Sequence, residues 1–117
     1  MTDAIPLISC QRHLDPVKVG HKASTFQVFV VRVVQIELRG AMYRVLTDGH
    51  HNLAAARLVG VEPTWRGPSR KLQRIMNELG QARFAAMLIN NLIDSDWYYV
   101  HSGQVVPELL GIERTAA

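Results

Sequence analysis

The sequence predicts an α+β fold, a small mixed sheet followed by a helical C-terminal part, on three observations. Residues with two-residue alternation and β-branched side chains crowd the first half, two stretches with helical spacing fill much of the second, and glycine or proline punctuates most of the joints between them. A chain of 117 residues has the size of one domain, 1–117, and the segments divide it into a core at 5–66, a helical extension at 69–93 and a small tail at 97–113.

Taken in order, residues 5–10 are apolar with an early proline, as at the start of a strand, and Leu14, Asp15 and Pro16 mark a turn. Residues 26–38 read as the longest strand. Val28, Val30, Val34, Ile36 and Leu38 share one parity, whereas the other begins apolar at Phe29, Val31 and Val33 and turns polar at Gln35, Glu37 and Arg39, so the strand starts buried on both faces and ends half exposed. Arg39 and Gly40 supply a tight reversal into a second strand at 42–47, making a hairpin. Residues 53–59 are strong helix formers, Gly60 stands where a helix-terminating glycine belongs, and Pro63 blocks continuation.

Residues 64–68 read as a linker. Ser69 can cap a helix whose Leu72, Ile75, Met76 and Leu79 follow i, i+3, i+4, i+7 spacing, and Gly80 ends it. A further helix at 81–93, apolar over much of its circumference, is broken by Asp94, Ser95 and Asp96. The tail predicts a small hairpin turning at Ser102 and Gly103, then a helical turn at 107–110. Trp97, Tyr98 and Tyr99 are expected in a core or an interface.

The net charge of +3 is modest, but Arg66, Arg70, Lys71 and Arg74 lie close together with Arg83, and only Glu78 opposes them. That span is either a solvated helix face or a patch for a nucleic-acid backbone. No apolar run is long enough to cross a bilayer, the N-terminus lacks the basic and hydrophobic segments of a signal peptide, and the lone Cys10 suits a reducing cytoplasm; no membrane partner is expected.

Chemistry concentrates at residues 47–52, Thr-Asp-Gly-His-His-Asn, where strand passes into helix. The start of a helix leaves backbone N–H groups without partners and adds the positive end of the macrodipole, so the corner attracts anions. Gly49 allows positive φ or the close approach of a phosphate, and Thr47 or Asp48 can cap the helix. His50 and His51 point about 100° apart on a first turn and do not chelate one metal; His13, His21 and His101 stand at no zinc spacing from them, so no metal site is expected.

Residues 43–63, Tyr-Arg-Val-Leu-Thr-Asp-Gly-His-His-Asn-Leu-Ala-Ala-Ala-Arg-Leu-Val-Gly-Val-Glu-Pro, resemble the central box of the ParB/sulfiredoxin superfamily, and the Ile-Pro-Leu-Ile-Ser segment at 5–9 is similar to its opening strand. The resemblance covers about 5–66. It implies that Thr47, Asp48, Gly49, His50, His51 and Asn52 hold the phosphates of a nucleotide, CTP or ATP/ADP with Mg2+, and it brings in the relatives described as ParB-like nucleases. Gly49 matches the turn glycine, His50 falls where sulfiredoxins carry their reactive cysteine and ParB proteins a glutamate, and His51 matches the sulfiredoxin histidine. Asn52 departs: the family places an arginine there, and an amide supplies neither charge nor a bidentate fork. Arg44, Arg57 or the Arg70, Lys71 and Arg74 group would then supply the cation. Sulfiredoxin chemistry is excluded for want of the cysteine, and the stretch after Ser69 is too short for the DNA reader and dimerisation domain of ParB proteins.

Three functions follow. The leading one is nucleotide or phosphate binding at 47–52, with Asp48 and His50 available for phosphoryl transfer or nucleotide hydrolysis and a DNA-related role. The others are a non-catalytic DNA-associated or interaction protein using Arg66, Arg70, Lys71 and Arg74, and a metal-dependent nuclease relying on Asp48. The sequence is compatible with a homodimer.

Overall fold

The computed structural model of the chain describes residues 5–113. Along it run β1 (Leu7–Ser9), α1 (Pro16–Thr25), β2 (Val30–Leu38), β3 (Ala41–Asp48), α2 (His50–Val59), β4 (Thr64–Arg66), α3 (Arg70–Leu79), α4 (Gln81–Asn90) and β5 (Tyr98–Tyr99), followed by a 3-10 turn at Pro107–Leu109. The strands form one mixed sheet ordered β4-β2-β3-β1-β5. β2 and β3 are an antiparallel hairpin, β1 lies parallel to β3, β4 parallel to β2, and β5 antiparallel to β1. The α+β class is as expected.

Strand alternation divides the core between the two faces of this sheet. Ile8, Val34, Ile36, Leu38, Tyr43 and Val45 pack with Phe84 and Ile89 of α4, with Trp97, Val106 and Leu109 of the tail, and with the apolar stripe of α3. On the other face Leu7, Val31 and Leu46 meet Leu53 of α2, and Phe29 meets Ala55 and Ala56 with Val19 and Ala23 of α1. β2 is therefore apolar on both sides only where α2 covers it, and Gln35 and Glu37 lie exposed beyond that helix.

Several expectations need correction. Asp15 and Pro16 open a helix rather than a simple turn: the Asp15 carboxylate accepts from Val17 N, and proline occupies the first turn, where its missing N–H costs nothing. Residues 64–66 are not linker, because the edge of β2 is free to pair and Thr64 to Arg66 fill it as a parallel strand. The first strand is shorter than 5–10, the second starts at Val30 rather than 26, and α4 stops at Asn90, leaving Leu92 and Ile93 exposed. α2 runs from His50, so the two histidines stand on its first turn as expected.

The hairpin turn is of the type that matches strand twist, with positive φ at both Arg39 (49°) and Gly40 (85°). Arginine is costly there, and four of its guanidinium N–H groups are employed. It donates to the carbonyls of Glu108, Leu110 and Gly111 and pairs with Glu113 at 2.7 Å, tying the last described residues to the hairpin.

Candidate functional site

β1 and β3 are parallel neighbours, so their carboxyl ends open on the same edge of the sheet. Ligands of sheets with parallel strands characteristically bind outside such ends. Here β3 delivers Asp48 and Gly49 to the first turn of α2, and β1 delivers Ser9 and then Gln11 beside it.

The joint begins with a bulge. Arg32 pairs with Asp48 and Val33 with Leu46, so Thr47 is an extra residue, and its hydroxyl donates to Arg32 O at 3.2 Å. Thr47 does not cap the helix, nor does Asp48. The capping position is Gly49, in the left-handed region at φ 93°, with no side chain to contribute. A Cβ on Gly49 would stand 2.6 Å from Val30 O and 3.1 Å from Val31 Cα, so glycine is required both by conformation and by the approach of β2 from beneath. With no side-chain cap and the first helical bond running from Leu53 N to Gly49 O, the N–H groups of the first turn remain available.

The two histidines have separate tasks. His51 Nε2 accepts from Asp15 N at 3.0 Å, joining α2 to the start of α1. His50 Nε2 lies 2.8 Å from Ser9 Oγ, which already accepts from Gln11 N at 3.1 Å. Both groups are satisfied when the Ser9 hydroxyl donates to Nε2 and the imidazole carries its proton on Nδ1. Burial holds His50 below its ordinary pKa of 6.5, against the opposing charge of Asp48, so the ring is neutral at pH 7. Ser9 is fully buried and does not line the concavity at the start of α2. Burial also pushes the Cys10 thiol up, away from thiolate chemistry.

Asn52 is employed inward. Its Nδ2 donates to Val30 O at 2.8 Å, fastening α2 to β2, while its buried Oδ1 has no partner among the described residues. Nonetheless Asp48, Gly49, His50, His51 and Asn52 line one polar concavity of about 190 Å³ together with Gln11 and Lys22. Lys22, whose ammonium also lies 4.7 Å from the Phe26 ring centre, is the cation of this corner. Sequence reasoning missed it because α1 was not expected and its reach depends on α1 packing against α2.

The cations expected to serve the corner lie elsewhere. Arg44 and Arg57 line a different basin. Lys71 joins Arg32, Thr47, Asp48 and Ser69 around a concavity of about 260 Å³ on the α3 side of the sheet, and Asp48 is exposed between this space and the corner. Arg66, Arg70 and Arg74 are exposed and line neither. Among the described residues, no three histidine, cysteine or carboxylate side chains converge as metal ligands, and no helix is long and apolar enough to cross a membrane.

No family model, curated protein or solved structure matches the chain.

Proposed function

We propose that the protein binds a phosphate group at the start of α2, with a nucleotide as the ligand that the resemblance to the ParB/sulfiredoxin superfamily implies. The observation that carries this reading is the union, in one concavity, of an uncapped helix start with Lys22. The N–H groups of the first turn would donate to phosphate oxygens, Lys22 would supply the charge that Asn52 lacks, and Gln11 would close the opposite wall. If phosphoryl chemistry occurs here, Asp48 is the base, since its side chain is exposed, whereas the His50 nitrogen able to accept a proton is taken by Ser9. His50 then serves as a neutral donor from Nδ1.

Thermal denaturation in the presence of CTP, ATP or ADP, with and without Mg2+, tests the reading. The melting temperature rises with at least one nucleotide, and Lys22→Gln abolishes the rise. His51→Ala is the poorer probe, because it also unhooks the Asp15 backbone. No rise at millimolar nucleotide would refute the proposal.

A second reading, backbone binding to DNA by Arg66, Arg70, Lys71 and Arg74, draws on one observation. Arg70 and Lys71 occupy the first turn of α3, which contains no acidic residue, so two cations are held against the helix dipole. Salt-sensitive duplex binding that Arg70→Gln with Lys71→Gln removes would distinguish it from the first.

A further inference from the structure

On the α2 face of the sheet, away from the corner, lies a concavity of about 410 Å³. Its floor is Pro6, Leu7 and Val100, and its polar wall consists of Arg44, Arg57, Trp65 and His101, without a carboxylate. Strand alternation puts Arg44 of β3 on this face beside Leu46, and β4 brings Trp65 next to it. The Arg44 guanidinium sits over the indole, 5.5 Å from its centroid, and the indole N–H donates to Glu62 at 2.9 Å, which fixes the ring. Trp65 nevertheless keeps 36% of its surface exposed. Neither Arg44 nor Arg57 forms an ion pair with another described residue.

We propose that this basin binds an unpaired nucleotide, its base against Trp65 and its phosphate between Arg44 and Arg57. The chemistry is that of single-strand recognition, in which an aromatic face receives a base that is not sequestered in a duplex and arginines neutralise the adjoining phosphate. A solvated basic face would not need a fixed, partly exposed indole beside its arginines. None of these residues belongs to the concavity at the start of α2, so the result here is independent of whether that corner binds phosphate.

Of the two tryptophans, Trp97 is buried, so quenching of indole fluorescence reports on Trp65. The protein is titrated with short oligothymidylate, with the same sequence as a duplex, and with thymidine monophosphate. Oligothymidylate is expected to quench and to bind with a log–log salt slope of about −0.7, as for one phosphate on a single strand. Arg44→Gln with Arg57→Gln flattens the slope, and Trp65→Leu removes the quench and weakens binding about tenfold or more. Because Arg44 Nε also donates to Ile5 O, Arg57→Gln alone, at an exposed position, is measured as well and weakens binding of oligothymidylate at low salt without disturbing the fold. Equal affinity for the monophosphate marks a free-nucleotide site, and preference for the oligomer marks single-stranded nucleic acid. Absence of quenching with either, equal binding of the duplex, or affinity unchanged in the double variant overturns the proposal.

Discussion

At the scale of single residues, the corner is built by side chains that are committed inward so that backbone can face outward. Gly49 is held by two independent constraints, a positive φ and the proximity of Val30 O. Gly49→Ala is expected to destabilise the protein by about 2 kcal/mol or more, since strain and contact add, and chemical denaturation would measure it. His50 gives a pH signature. Its pKa is lower in the folded protein than the ordinary 6.5, so the unfolded chain binds the proton more readily, and the resulting stability is present above pH 6.5 and lost as pH falls toward the folded value. The melting temperature should decline between pH 7 and pH 5, and His50→Gln should flatten that part of the profile. A residue-level reading of sequence singled out 47–52, and the fold gathers Asp48 to Asn52 around one concavity without Thr47, but what each side chain does was not legible. Asn52, marked as the weak point of a phosphate site, donates to Val30 O, a partner 22 positions away in the chain that no local pattern reveals.

At the scale of elements, legibility followed how local the determinants are. α3 was readable because its cap, Ser69, and its stripe of Leu72, Ile75, Met76 and Leu79 lie within the segment itself. α1 was not, because it buries no residue fully, carries Gly20 in its interior and owes its place to packing on α2. β4 is three residues long, too short to alternate, and exists because β2 offers it an edge. The C-terminal tail is similarly non-local. Tyr43 and Tyr99 both donate to the Glu108 carboxylate, which the Tyr43 bond holds below the usual carboxylate range, while burial raises Tyr43 above an ordinary phenol. With Arg39 gathering the following carbonyls, the tail is fastened at two points. Arg39→Ala should leave the sheet intact yet speed amide hydrogen exchange across 107–113 by about tenfold, the equivalent of roughly 1.4 kcal/mol of local stability.

At the scale of the whole molecule, topology decides where chemistry can gather. A parallel β1 and β3 bring Gln11 and the Asp48–Asn52 turn to one edge, and α1, packed beside α2, adds Lys22 from a third part of the chain. The same sheet separates the basic residues. Arg32 and Lys71 line the α3 face, and Arg44 and Arg57 the α2 face, so a charge that is diffuse in sequence becomes distinct patches in space. The central claim is that backbone amides at the start of α2, with Lys22, receive a phosphate. Its most direct test is a two-dimensional amide NMR titration with CTP and with pyrophosphate. The proposal predicts that the His50, His51 and Asn52 amides shift, saturably, and that Lys22→Gln suppresses the shifts. Saturable shifts confined to other regions, or none at millimolar ligand, would contradict it.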